Sequence, residues 1–168
     1  MQLQTSSRKR VKIKCALQGP SSSGKTKSGL YIAYGLCGDW SKIAVIDTEN
    51  RSSELYSELG EYKVLHLEPP FSPERYIEAL SICVQAGIEV VLVDSLTHEW
   101  EYILDSHGAM PGNSFTNWSK FTPRHNAFVN AMLQANVHII GTIRTKQDYV
   151  LSEKNGKQIP EKVGLKGV

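Results

Sequence analysis

Apolar positions along the chain fall into short continuous runs, separated by stretches whose apolar residues recur at helical spacing. The runs predict five strands: Val11 to Gln18, Lys42 to Asp47, Tyr62 to Leu67, Val90 to Asp94 and Val137 to Ile143. Between them, Lys25 to Cys37 predicts a helix with Leu30, Ala33 and Tyr34 on one face. Ser52 to Leu59 predicts a short helix closed by Gly60. Ser72-Pro73-Glu74 opens a helix ending near Ala86, with proline at a favoured first-turn position. His98 to Ser106 and Pro123 to Asn136 predict two more. Gly108 to Asn117 is rich in Gly, Pro, Asn and Ser and predicts a loop. Tyr149 to Ser152 and Lys157 to Pro160 flank Asn155-Gly156, which predicts a hairpin.

Strands that are apolar throughout are buried on both faces, so helices must cover both sides of a mainly parallel sheet. The expected fold is therefore a three-layer α-β-α sandwich with a C-terminal β-hairpin. Ligands of such sheets bind at the carboxyl ends of the strands. Residues 1–10 read as a flexible basic tail and residues 11–168 as one domain. The closing Lys162-Val163-Gly164-Leu165-Lys166-Gly167-Val168 reads as the middle of an element, so a longer protein is expected.

Composition narrows the class only slightly. The chain has 168 residues, 40% hydrophobic and 21% charged, an ordinary globular mixture. A net charge of +2 does not by itself call for a polyanionic partner. Cys15, Cys37 and Cys83 lack metal-ligand spacing, and each lies in an apolar stretch, so buried reduced thiols in a cytosolic protein are expected. No run reaches the roughly 18 apolar residues of a membrane span. His66, His98, His107, His125 and His138 show no ligand spacing.

The chemistry begins at Gly19-Pro20-Ser21-Ser22-Ser23-Gly24-Lys25-Thr26, a full match to G-x-x-x-x-G-K-[ST] between a strand and a helix. In that context successive backbone N–H groups and a helix N-terminus surround a β-phosphate. Lys25 reaches the β- and γ-phosphate oxygens, and Thr26 is a magnesium ligand. Asp94 ends an apolar strand, where it either holds the magnesium water shell or caps the next helix. Beside a complete phosphate loop the metal role is favoured. The expected ligands are ATP and Mg2+.

The stretch from Gly19 to Asp94 resembles the RecA family of DNA-dependent ATPases. The matching segments are the Ser-Ser-Gly-Lys-Thr loop, Ile43 to Glu49 with its Asp-x-Glu ending, Leu55 to Gly60, Pro70 to Glu74 and Asp94-Ser95. The whole chain is similar to small RecA-like ATPases of phages and prophages, linked to recombination or single-strand annealing. That similarity includes Asp94 to Trp100, Thr142 to Lys146 and Lys162 to Leu165. The resemblance implies ATP hydrolysis, homo-oligomerisation of the full-length protein, and action on DNA, single-stranded DNA foremost. It implies Lys25 and Glu74 as catalytic residues, Glu74 polarising the attacking water, with Glu49 and Glu99 as competitors at other strand tips. It also implies that the fifth strand inserts between the first and fourth, where Thr142, Arg144 and Thr145 could sense a γ-phosphate.

Other readings stay open. Thr145-Lys146-Gln147-Asp148 matches the guanine-reading [NT]-K-x-D motif, but Thr97 stands where a GTPase carries the glycine of D-x-x-G. A nucleotide-gated binding module with negligible turnover is the other alternative. Arg8 to Lys14 and the C-terminal third, from Arg144 to Lys166, are basic, and Trp100, Trp118 and Phe121 could stack on bases.

Overall fold

The computed structural model describes residues 11–154 and 157–167. Six strands form the sheet: β1 (Lys14–Gly19), β2 (Ile43–Asp47), β3 (Lys63–His66), β4 (Val90–Asp94), β5 (His138–Lys154) and β6 (Lys157–Gly167). Five are parallel in the order β1-β5-β4-β2-β3, and β6 pairs antiparallel with the far half of β5. Every residue of β2 and β4 is buried, as their unbroken apolar runs require of central parallel strands. β5 lies between β1 and β4.

The α-helices among the described residues are α1 (Lys25–Cys37), α2 (Pro73–Gln85), α3 (Thr97–Gly108) and α4 (Ser114–Gln134), and the predicted short helix Ser52–Leu59 is a 3-10 helix. α1 covers one face, where Leu30 and Ala33 pack on Val45, Leu92 and Ile140. Tyr34 turns outward on the same helix and stacks on Trp40 at 4.7 Å. α2 and α4 cover the other face, where Tyr76, Leu80 and Phe128 pack on Ala44, Val91 and Ile139. The result is the three-layer α/β fold of P-loop nucleoside triphosphatases.

The predicted loop Gly108 to Asn117 and the predicted helix start at Pro123 are both corrected. α4 begins at Ser114, capped by the Asn113 side chain, which accepts from Phe115 N at 2.9 Å. The helix then runs straight through Pro123. Proline there removes the N–H that the Ser119 carbonyl would accept. Buried Asn117, Phe121 and Phe128 form one helical stripe across the proline, and burying that stripe outweighs the lost bond.

The predicted hairpin is present but longer than its turn signal suggested. Lys154 pairs with Lys157 and the ladder continues to Thr145 opposite Gly167. The fifth strand therefore does not stop at Ile143. The expectation of three buried thiols holds only for Cys83; Cys37 is half-buried, and Cys15 is exposed on β1, which among the described residues is an edge strand.

Candidate functional site

Sheet register assembles the site. Asp47 of β2 stands opposite Asp94 of β4, and Gly19 of β1 opposite Arg144 of β5. Beside these positions lies a cavity of about 330 Å³ lined by Ser21 to Thr26 of the phosphate loop, Glu49, Asp94 and Arg144. Ser52, Leu55 and Tyr56 form its other wall. Its size falls within the range of about 300–1,000 Å³ common to small-molecule sites.

The loop adopts backbone that ordinary residues avoid. Gly24, the residue before α1, has φ of 81°, where a Cβ is strained, and Ser22 holds φ of 62° without being glycine. A Cβ on Gly19 would lie 2.8 Å from Ser23 Oγ, inside the curl of the loop. Lys25 Nζ donates to the carbonyls of Gly19 at 3.0 Å and Pro20 at 2.8 Å. The ammonium is thereby folded over the loop, with a third proton left for another acceptor.

Asp94 is the most constrained acid in the cavity. Thr26 Oγ1 donates to its Oδ2 at 2.6 Å, and Thr142 Oγ1 donates to Oδ1. Burial, above all, holds its carboxyl above the usual aspartate range. The hydroxyls of Thr142 and Thr26 pull it down, while Glu49 and Asp47 push it up. A buried carboxylate beside a threonine hydroxyl fits magnesium, which takes one or two protein ligands and completes its shell with water and phosphate oxygens. Among the described residues no group of three or more His, Cys, Asp or Glu forms an all-protein metal cage. Ser52 Oγ, on the cavity wall, is buried and has no hydrogen-bond partner among the described residues.

The structure separates the three candidate glutamates. Glu49 lines the cavity, and its carboxylate accepts from Arg144 Nε at 2.8 Å. Asp47 fixes the turn that carries it, accepting from Glu49 N at 2.7 Å and Ser53 N at 2.9 Å. Glu74 does not line the cavity. It lies in the first turn of α2, where Arg124 grips it with two hydrogen bonds of 2.7 and 2.8 Å. That guanidinium holds the Glu74 carboxyl well below its ordinary value, at about 2. Glu74, expected as the base, thus stands outside the phosphate-loop cavity, with Arg124 of α4 as its partner. Glu99 is buried against His125 Nδ1 at 3.0 Å and faces a different cavity.

That second cavity is larger, about 390 Å³, but its lining is apolar apart from Thr97, Glu99 and His125. Nothing in it suits a triphosphate. Of the other expected residues, Thr142 serves Asp94, and Thr145 is buried and does not line the phosphate-loop cavity. Leu55 and Tyr56 belong to the Leu55 to Gly60 segment that carries the family resemblance, but they were not expected as cavity-lining residues.

The aromatic residues offered as base-stacking groups pack on one another. Trp118 stacks on Trp100 at 6.0 Å and on His107 at 4.2 Å, and Phe121 is buried. Lys14 donates to the carbonyls of Ala135, at 2.8 Å, and Val137, so it ties β1 to the end of α4. Lys146 is exposed, while the basic residues before Val11 and the side chains of Lys154, Lys157, Lys162 and Lys166 lie outside the described residues. Among the described residues no helix is long and apolar enough to cross a membrane.

Residues 11–166 match the family model described as an AAA domain. No curated protein matches the chain.

Proposed function

The chain belongs to the AAA-domain family of P-loop nucleoside triphosphatases, and from that premise we propose that it hydrolyses ATP with magnesium, as a RecA-like ATPase acting with DNA in phage-type recombination. The observation that carries this reading is the single cavity that joins the phosphate loop, Asp94 and Glu49. In it the loop amides and Lys25 bind the β- and γ-phosphates. Thr26 and Asp94 would hold magnesium, which would neutralise charge on the phosphate oxygens. Glu49, in place of Glu74, orients a water for in-line attack and accepts its proton as the bond to the leaving diphosphate breaks. Leu55 and Tyr56 flank the nucleotide on the opposite wall.

ATP is favoured over GTP because Thr145 to Asp148 lie within β5, paired to β6, and not in a loop beside the cavity. Single-stranded DNA is the proposed effector, a homo-oligomer the working form and the cytosol of a bacterial host the setting. The second reading, a nucleotide-gated module with negligible turnover, is favoured by one observation: Arg144 already neutralises Glu49. Phosphate release from ATP and from GTP, measured with and without single-stranded DNA, separates the readings. Release confined to ATP supports the first; tight binding with no release in either condition supports the second.

A further inference from the structure

Glu49 and Arg144 stand 95 positions apart in the chain and meet inside the phosphate-loop cavity. Their backbones are pinned independently of each other. Asp47 accepts from Glu49 N, and Asn50 and Arg51 follow in left-handed backbone at φ of 50° and 65°. Arg144 N donates to Thr97 Oγ1 at 2.9 Å. The two side chains meet directly, and both are partly exposed, at 22% for Glu49 and 34% for Arg144. The contact itself uses Nε of Arg144 and one oxygen of Glu49, not the two-pronged fork that makes such pairs strong. Arg124 and Glu74 show the forked form elsewhere in the same molecule.

A single-pronged, partly exposed pair is weak and exchangeable. A terminal phosphate carries more charge than a carboxylate and matches the guanidinium fork. A carboxylate oxygen engaged by a guanidinium also has fewer lone-pair sites left for a water.

Resting on the nucleotide-binding reading above, we propose that Glu49 and Arg144 together discriminate triphosphate from diphosphate: the γ-phosphate takes the Arg144 guanidinium from Glu49, and the released carboxylate orients the attacking water. A diphosphate ends one phosphate short and leaves the pair closed. Recognition of the correct nucleotide and arming of the base are then one event.

Binding of an imido-bridged ATP analogue and of ADP, both with magnesium, tests this by calorimetry on four proteins: wild type, Glu49→Gln, Arg144→Ala and the double variant. Both side chains are partly exposed and their backbones are held by other residues, so all four should fold; thermal melting checks it. Glu49→Gln should tighten the analogue about threefold to tenfold, because the guanidinium no longer has to be won from a carboxylate. It should leave ADP within about twofold. In the Arg144→Ala background the same change should alter neither. An unchanged analogue-to-ADP ratio in Glu49→Gln overturns the proposal. So does equal or greater tightening in the Arg144→Ala background, which would mean simple charge repulsion by Glu49. If the wild-type protein binds neither nucleotide, the nucleotide reading falls as well; if it binds both and the ratio does not move, this proposal falls alone.

Discussion

Thr26 and Asp94, 68 positions apart, share a 2.6 Å hydrogen bond from the threonine hydroxyl to a carboxylate oxygen. Thr26 stands in the first turn of α1 and Asp94 at the tip of β4, so the bond joins the phosphate loop to the centre of the sheet. It also brings together the two side chains a magnesium ion would need.

Asp94 is 1% exposed and burial raises its pKa from an ordinary value near 3.8. A carboxyl whose folded pKa lies above its unfolded one favours the protonated fold. Stability is therefore greatest below pH 3.8 from this group, and declines as pH rises through the elevated folded value. At neutral pH without magnesium, Asp94→Asn should stabilise the protein by about 1 kcal/mol, a trade of stability against function. The variant should also lose most of the extra stability that Mg-ATP gives the wild type. Melting curves with and without Mg-ATP test both effects; a variant less stable than wild type in the absence of ligand would count against the role.

Glu74 and Arg124 predict the opposite sign. Arg124 depresses the Glu74 pKa to about 2 from an ordinary value near 4.5. The stability gained is fully present above pH 4.5 and fades as pH falls toward 2. The Glu74 side chain is 54% exposed, so solvent screening limits the gain to roughly 0.5–1 kcal/mol. Glu74→Gln should lose that amount at neutral pH and keep wild-type turnover. Slow hydrolysis in Glu74→Gln, measured beside a stable fold, would restore Glu74 as the base.

Pro123 tests the corrected helix. Inside α4 it denies the Ser119 carbonyl a partner, so Pro123→Ala should stabilise by about 1–3 kcal/mol, up to the full interior-proline penalty. Were Pro123 at a helix start, the same change would be neutral or slightly destabilising. Denaturant unfolding of the pair distinguishes the two.

Much of the fold was legible because the strongest signals were local. Lys25–Cys37 and Val90–Asp94 match their predicted bounds, one opened by Gly24-Lys25-Thr26 and the other a pure apolar run. α4 was misread because Gly, Pro, Asn and Ser dominate its approach, and composition hides a stripe formed by Asn117, Phe121 and Phe128. Choosing among Glu49, Glu74 and Glu99 was beyond spacing, since each follows a strand tip. Register separates their positions: Asp47 opposite Asp94 places Glu49 in the cavity, while α2 carries Glu74 to Arg124. The place of β5 beside β1 was expected, but the Arg144–Glu49 pair was not legible, because it depends on two side chains from β5 and the turn after β2 meeting above β4.

Phosphate release from Mg-ATP by wild type, Lys25→Ala and Glu49→Gln tests the central claim most directly. Wild type should release phosphate, faster with single-stranded DNA. Glu49→Gln should slow release by about 100-fold or more, the scale of general-base catalysis. Lys25→Ala should weaken nucleotide binding by roughly 10- to 150-fold, from the loss of a charged hydrogen bond. No release by the wild type in either condition, or release by Glu49→Gln at the wild-type rate, would contradict the account.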